Sequence, residues 1–375
     1  MISGWNFGNL GVFESMTSFA VRKTLAMLLC LTPGAAAVAV AVPEQARAQA
    51  QPAPPVVRLS APAALATRIQ NLGDGFNGRV GIAVQSIDEG WRTGWKSDEL
   101  CPQQSVSKFW VALTAMEAVD RGRISLSDRV TVGRGDLTLF HQPLAAKVLG
   151  NGGHTTTLGE LLYEAITKSD NTANDKLMRS VGGPDAVRGF IARHNITGVR
   201  FYDGERALQS KIAGLIWSQS YSVGDAFYKA RNALPHSVRK AAFDRYVEDP
   251  YDGASASAIV NALARLKRGE LLSPSSTARL LSIMGNTRTG ANRLKGGLRP
   301  GWSLSHKTGT GQVLGSVQAG YNDIGILTAP DGRSYAVAVM IKKTSTPLAV
   351  RMTLMNNVVR AVIDNHVSRG TVYTL

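Results

Sequence analysis

The hydrophobic periodicity changes twice along the chain, and this restricts the possible folds more than any other feature. Strand-like runs lie near both ends, at residues 79–86, 302–306, 316–327 and 335–342. Helical spacing of apolar residues fills the middle, at residues 108–122, 158–167, 172–181 and 185–194. A period of two is typical of strands, and one near 3.6 is typical of helices. We therefore predict a sheet built from both ends of the chain and a helical lobe inserted between them.

Further patterns complete this mixed α/β (α+β) prediction. Residues 79–86 alternate in the manner of a half-buried strand, and Asp88-Glu89-Gly90 supplies the turn of a hairpin that returns through residues 91–95. Additional helices are expected at residues 61–70, 254–268, 275–284 and, after Pro347, to about residue 367. A cleft between the two lobes is a common place for a small-molecule site.

The first 50 residues have the form of a signal peptide. Arg22 and Lys23 precede an apolar stretch at 24–42, and Ala48-Gln49-Ala50 has the small-x-small form that signal peptidases cut. A membrane anchor is the alternative, but Pro33-Gly34 interrupts the stretch. We predict cleavage after Ala50, a linker at 51–60, and a periplasmic or secreted protein without stable membrane insertion.

The chain is basic, with 42 Lys and Arg against 27 Asp and Glu and a formal net charge of +15. Such a charge is compatible with a nucleic-acid partner, but no nucleic-acid-binding motif accompanies it. Export also argues against such a partner, so we expect the charge to favour anionic substrates. The six histidines lack the spacings of zinc sites, and we therefore predict no metal and no cofactor.

Three short motifs follow one another in the sequence: Ser105-Val106-Ser107-Lys108, Ser169-Asp170-Asn171 and Lys307-Thr308-Gly309. A match to S-x-x-K is expected by chance roughly once or twice in a chain of this length, and a second one occurs at 237–240. The other two motifs are each expected on the order of 0.1 times. Their joint occurrence is therefore hard to assign to chance.

These residue types in this order predict a serine acyltransferase site. A lysine three residues after Ser105 lies one helical turn away on the same face, where it can accept the proton of a nucleophilic serine. The alternative is that Ser105 caps a helix and Lys108 is solvated. Ser169 can pass a proton to the leaving nitrogen, and Asn171 can bind a substrate amide.

The third motif follows the strand-like residues 302–306. Lys307 and Thr308 can meet a substrate carboxylate, and Gly309 lets a ligand approach the backbone. Here the alternative is an ordinary strand that ends in a turn.

The motif set resembles that of the class A serine β-lactamases. The resemblance covers most of residues 61–375. It implies an antiparallel five-stranded sheet flanked by helices, with the sheet lobe at about 61–100 and 254–375 and the helical lobe at about 101–253. It also implies Ser105 as the acylated nucleophile, Lys108 as proton acceptor, Ser169 as shuttle, and the backbone amides of Ser105 and Thr310 as the oxyanion hole.

Hydrolysis of the acyl-enzyme distinguishes a β-lactamase from its relatives. Glu205 matches the position of the family's general base, and Gln209 replaces the asparagine that follows it. The alternative is that Glu205 is a solvated loop carboxylate beside Arg206. We predict hydrolysis of β-lactams by a monomer. A D,D-peptidase or transpeptidase, or a slow penicillin-binding sensor that stays acylated, is the rival function.

The chain departs from the family pattern at residues 210–252, which form an insertion. Its aromatic residues are expected to be packing, although a substrate-restricting lid or a partner surface is possible, and residues 235–246 have the composition of a basic helix. Either Phe140 or His141 is expected to supply the aromatic wall of the site. Either Arg293 or Lys295 is expected to supply a second cation beside Lys307.

Overall fold

The computed structural model describes residues 60–366. The predicted signal peptide and the predicted linker, apart from Ser60, lie outside the described residues. Within residues 60–366, no helix is both long enough and apolar enough to cross a membrane.

Twelve α-helices occur in the described residues: α1 (Ala63–Asp74), α2 (Lys108–Asp120), α3 (Ala145–Gly150), α4 (Leu158–Tyr163), α5 (Asn171–Ser180), α6 (Gly183–Arg193), α7 (Glu205–Ile212), α8 (Ala226–Ala233), α9 (His236–Glu248), α10 (Ala256–Lys267), α11 (Pro274–Gly285) and α12 (Leu348–Asp364). Ten strands accompany them in the same residues: β1 (Arg79–Ser86), β2 (Arg92–Trp95), β3 (Leu100–Pro102), β4 (Arg129–Val132), β5 (His154–Thr157), β6 (Gly253–Ser255), β7 (Ser303–Thr310), β8 (Val313–Leu314), β9 (Val317–Thr328) and β10 (Ser334–Thr344).

The main sheet joins the two ends of the described chain. Its strand order is β2-β1-β10-β9-β7, all neighbours are antiparallel, and the two-residue β8 adds to β9. The helices α2 to α9 lie between β3 and β6 in the sequence. The predicted α+β class and the antiparallel five-stranded path are therefore confirmed.

Strand β1 is buried on both faces, and the prediction of a half-buried strand was wrong. Val80, Ile82 and Val84 belong to one hydrophobic cluster with α1 and α12. Ala83, on the opposite face, belongs to the larger cluster that includes α2 and α10. Helices cover both faces of the sheet, so polar alternation along the strand is not required.

The sequence predicted that the motif at 307–309 follows a strand. In the structure β7 extends to Thr310, so the motif lies within the strand. Lys307 is paired in register with Ile324, and Thr310 is paired with Tyr321. The ladder to β9 keeps Lys and Gly extended although neither residue favours strands, because tertiary pairing overrides weak intrinsic preference.

The segment 210–252 contains α8 and α9, and α9 confirms the predicted basic helix. Phe243 and Tyr246 of α9 are buried against Leu208 and Ile212 of α7. Phe227 of α8 packs in a separate small cluster with Leu139 and Ala213. Packing is thus the observed role of these three aromatic side chains.

Candidate active site

Ser105 lies in a short 3₁₀ turn, Gln104–Ser107, which leads directly into α2. The Lys108 Nζ atom donates a hydrogen bond of 2.6 Å to Ser105 Oγ. Lys108 is fully buried, and Ser105 makes no side-chain cap for α2. The alternative of a helix cap with a solvated lysine is therefore wrong.

The backbone before Ser105 is held in an unusual conformation. Gln104 has a φ of 54°, in the left-handed region that non-glycine residues seldom adopt. Its N–H donates to Asp252 Oδ2 at 2.7 Å, and its side-chain Nε2 donates to Tyr246 Oη at 2.6 Å. Tyr246 Oη in turn donates to Asp252 Oδ1 at 2.9 Å. The segment 210–252 thus anchors the turn that carries Ser105.

Lys108 joins three elements of the site. Besides Ser105, its Nζ donates to Asn171 Oδ1 at 2.7 Å and to Glu205 Oε1. Asn171 begins α5, and its own Nδ2 donates to the Leu139 carbonyl at 2.8 Å. All three ammonium donors therefore have an acceptor, which a buried charge requires.

Ser169 and Lys307 meet on another side of the site. A π-helical turn, Glu164–Lys168, ends at Ser169, whose φ is 62°. Lys307 Nζ donates to Ser169 Oγ and to the Thr308 carbonyl, both at 2.8 Å. Lys307 is fully buried; burial first, and then the charge of Lys108, hold the pKa of its ammonium well below the usual range.

Glu205 opens α7 and points into the protein. Its side chain is only 3% exposed, so the alternative of a solvated loop carboxylate is wrong. Gln209 follows one turn later, and its Nε2 donates to Glu205 Oε2 at 3.1 Å and to Gln104 Oε1 at 2.9 Å. The Glu205 N–H donates to Asp175 Oδ1 at 3.0 Å. The carboxylate is therefore held by Lys108 at Oε1 and by Gln209 at Oε2, while Asp175 holds the backbone of Glu205.

Two further acids lie buried around this site. Burial, followed by the charge of Glu205, raises the pKa of Asp175 to about 6. Burial raises the pKa of Asp252 to about 7, against the opposing hydrogen bonds from Gln104 and Tyr246. Neither residue was singled out from the sequence, because an isolated Asp in a helix or loop carries no pattern.

Strand β7 and a preceding loop present the hydroxyl and cationic groups. Arg293 Nη1 donates to the carbonyls of Gly309 at 3.0 Å and Asn322 at 2.7 Å, and Nη2 donates to Thr310 Oγ1. Its guanidinium lies 3.8 Å from the centroid of the Tyr321 ring. Arg293, and not Lys295, lines the cavity beside Thr310.

Gly309 has a different environment from the one predicted. A Cβ atom at this position would lie 2.4 Å from the Gln103 carbonyl and 3.2 Å from the Val106 N–H nitrogen. Protein backbone fills this space, so the glycine admits the turn before Ser105 and not a ligand. The prediction of a ligand approach there was wrong.

These groups surround one cavity of about 620 Å³. Most of the sequence-predicted residues line it: Ser105, Ser169, Asn171, Glu205, Gln209, Thr308, Thr310, Phe140 and His141. Lys108 and Lys307 lie behind this surface, fully buried. Sequence reasoning missed the remaining lining residues: Tyr228, Arg231, Thr289, Gly311, Gln312 and Val313.

Within residues 60–366, no group of three or more His, Cys, Asp and Glu side chains is arranged to hold a metal ion.

Comparison with known proteins identifies the family. The family model of the beta-lactamase enzyme family matches residues 64–366. The extended-spectrum beta-lactamase PER-1 of Pseudomonas aeruginosa is 27% identical over 281 residues, covering 75% of this chain and 80% of PER-1. Beta-lactamase CTX-M-25 of Escherichia coli is 28% identical over 293 residues, covering 77% and 84% of the two chains.

Solved structures agree with this match. An ancestral (GNCA) class A beta-lactamase superposes with a TM-score of 0.64 and 28% sequence identity, covering 80% of this chain and 99% of the other. The fold and the family model thus agree over the same part of the chain. The chain therefore belongs to the beta-lactamase enzyme family, as a serine hydrolase of class A.

Proposed function

We propose that this protein hydrolyses the amide of β-lactams through an acyl-enzyme on Ser105, which water activated by Glu205 then clears. The observation that carries the proposal is the position of Lys108, whose ammonium contacts both the Ser105 hydroxyl and the Glu205 carboxylate. A nucleophile and a carboxylate base thus lie in one site, and a two-step hydrolysis uses both.

In the acylation step, Ser105 Oγ attacks the lactam carbonyl and loses its proton either to Lys108, after the Lys108 ammonium has passed a proton to Glu205, or to Glu205 through water. The carbonyl oxygen takes up negative charge, and the N–H groups of Ser105 and Thr310 are the proposed donors to it. Ser169 delivers its proton to the lactam nitrogen as the amide bond breaks, and it receives in return the proton that left Ser105, by way of Lys108. Lys307, 2.8 Å from Ser169 Oγ, stabilises the serine as it transfers that proton.

In the deacylation step, Glu205 takes a proton from water as the water oxygen attacks the ester carbonyl. Gln209 orients the carboxylate through its hydrogen bond to Oε2. As the ester bond breaks, the proton that Glu205 took from water passes through Lys108 to Ser105 Oγ. General bases of this kind contribute about 10²- to 10⁴-fold to a rate.

Substrate binding uses the rest of the cavity wall. We propose that Thr308, Thr310 and Arg293 hold the substrate carboxylate, with Lys307 buried behind them. Asn171 and Gln209 offer amide groups to the acyl side chain, and Phe140 supplies an apolar wall. The excess of basic over acidic residues favours the encounter with anionic substrates.

Two rival functions use the same serine and lysine groups: a D,D-peptidase or transpeptidase and a slow penicillin-binding sensor. The burial of Glu205 beside Lys108 favours the hydrolase over both, since neither rival needs a second base. The decisive experiment is the turnover of a chromogenic cephalosporin. Continuing hydrolysis supports the proposal, whereas one stoichiometric burst without further turnover would favour a rival.

The proposed compartment is the periplasm or the cell exterior, with the protein acting as a monomer. The predicted signal peptide at 1–50 supports this location. Expression in a bacterium with export tests it, because cleavage after Ala50 would leave Gln51 as the first residue in the intact mass.

A further inference from the structure

Helix α8 brings two side chains into the cavity that the three motifs did not predict. Tyr228 and Arg231 both line it, and their spacing of three residues places them on the same face of the helix. The intervening Lys229 forms an ion pair with Asp225 at 3.1 Å and does not line the cavity. Arg231 is thus the cation that α8 presents to the site.

Arg231 carries a charge that no carboxylate in residues 60–366 neutralises. It forms no ion pair there, and its Nε atom is buried without a hydrogen-bond partner. The guanidinium lies instead 5.4 Å from the Tyr228 ring centroid and 5.9 Å from that of Phe227. Cation–π contacts of this kind help to hold an arginine in place and leave its N–H groups free for an anion.

Arg231 belongs to the wall of the cavity that the helical lobe forms. The Phe140 ring packs 5.1 Å from Phe227 and 6.3 Å from Tyr228, centroid to centroid. The adjacent His141 carbonyl accepts the Asn171 N–H at 2.9 Å. The rings of Tyr228, Phe227 and Phe140 therefore connect Arg231 to the segment that holds Asn171, which is proposed to bind the acyl side chain.

The second cation of the cavity belongs to the other wall. Arg293 is bonded to the carbonyls of Gly309 and Asn322, on strands β7 and β9. A substrate carboxylate held there by Thr308 and Thr310 leaves Arg231 without an anion. A ligand that satisfies both cations needs two negative groups.

We propose that Tyr228 and Arg231 form a subsite for a negatively charged group on the acyl side chain of the substrate. The inference rests on the proposed function and names its preferred substrate class: β-lactams that carry a second anion beyond the ring carboxylate. Arginine pairs well with such a group because its planar guanidinium offers two parallel N–H donors to a carboxylate.

Three penicillins that differ at one side-chain carbon test the proposal: benzylpenicillin, its α-carboxy analogue carbenicillin, and its α-amino analogue ampicillin. The measured quantity is the ratio of kcat/KM for carbenicillin to that for benzylpenicillin. In Arg231→Gln we expect this ratio to fall about tenfold, since a hydrogen bond to a charged group is lost. For ampicillin, kcat/KM is expected to stay level or rise.

Lys229→Gln is the matched control, because it removes the same charge from the same helix outside the cavity. Its ratio is expected to stay within about twofold of the wild type, as exposed ion pairs contribute little. In Arg231→Lys the ratio is expected to lie between those of the wild type and Arg231→Gln. Added salt should reduce the difference between the wild type and Arg231→Gln.

An unchanged ratio in Arg231→Gln, or an equal loss with all three penicillins, would overturn the subsite. The equal loss would mean that Arg231 only supports the fold of α8. Absence of turnover in the wild type would instead contradict the proposed function. In that case the ratio of Ser105 acylation rates, measured by intact mass, still decides whether the subsite exists.

Discussion

The Lys108 ammonium and the Glu205 carboxylate form an ion pair in the interior of the protein, where their side chains are 0% and 3% exposed. A buried pair of this kind gains little net stability, because each charge has lost its hydration. The pair lies beside Ser105 Oγ, so the base and the nucleophile of the proposed acylation and deacylation are in one site.

The nucleophile is tested by Ser105→Ala. Removal of the Oγ atom should abolish covalent labelling by a penicillin, which intact mass spectrometry detects. The second S-x-x-K match provides the control, because Ser237 is exposed and outside the cavity. Ser237→Ala should be labelled like the wild type, and labelling that persists in Ser105→Ala would show that the nucleophile is elsewhere.

The anchoring role of α9 is tested by Tyr246→Phe. The substitution removes the hydroxyl that links Gln104 to Asp252, and it leaves buried polar groups without that partner. We expect the free energy of unfolding to fall by about 1–3 kcal/mol. We also expect kcat to fall, because Gln104 contacts Gln209, which in turn contacts the Glu205 carboxylate.

Tyr251→Phe is the control for this change. The Tyr251 hydroxyl makes no hydrogen bond to the described part of the chain, so stability should change by no more than about 0.5 kcal/mol. A Tyr246→Phe variant with wild-type kcat would show that α9 supports the fold without positioning the site.

Asp252 gives the protein a stability that depends on pH. Its pKa is raised to about 7 in the folded protein from an ordinary value of 3.8. Below pH 4 the carboxyl is protonated in both states. Between pH 4 and 7 only the folded state holds the proton, so this group makes the folded protein less stable as the pH rises.

Asp252→Asn should remove this part of the pH dependence. Between pH 4 and 7, the free energy of unfolding of the wild type should fall relative to that of the variant. The fall should be at most about 4 kcal/mol, because one pKa unit corresponds to about 1.4 kcal/mol. Urea titrations across this range measure the difference. A constant difference between the two proteins would mean that Asp252 titrates normally. Asp175, whose pKa is also raised, keeps part of the slope in both proteins.

Gly309→Ala tests the corrected role of this glycine. The new Cβ atom would overlap the Gln103 carbonyl at 2.4 Å, so the turn before Ser105 must move. We expect a loss of about 1–3 kcal/mol in stability together with slower acylation. Gly285→Ala is the control, because its Cβ would meet only Ser305 Oγ at 3.6 Å. Weaker substrate binding at unchanged stability would instead restore the ligand-approach interpretation.

The sequence predicted those parts of the site that short motifs encode. Ser105 and Lys108 are three residues apart in one turn, so local geometry alone brings them together. Glu205 was found by its position relative to the family pattern, since nothing local distinguishes it from other loop carboxylates. Its contact with Lys108 is a product of the tertiary fold.

For the segment 210–252, the sequence predicted the packing but not the residues that line the cavity. Its aromatic residues indicated packing, which Phe227 and Tyr246 confirm. The same pattern did not show that Tyr228 and Arg231 face the cavity, because residues on one helix are distinguished only by what packs around that helix. Likewise, the burial of β1 on both faces depends on helices distant in the sequence, which the alternation within the strand does not report.

The central claim is that Glu205 clears an acyl group from Ser105. Glu205→Gln keeps the size of the side chain and removes the base, so intact mass after mixing with benzylpenicillin tests the claim most directly. We expect the wild type to return to its free mass and the variant to persist as an adduct with the full mass of the antibiotic. A Glu205→Gln variant that releases the adduct as fast as the wild type would contradict the account.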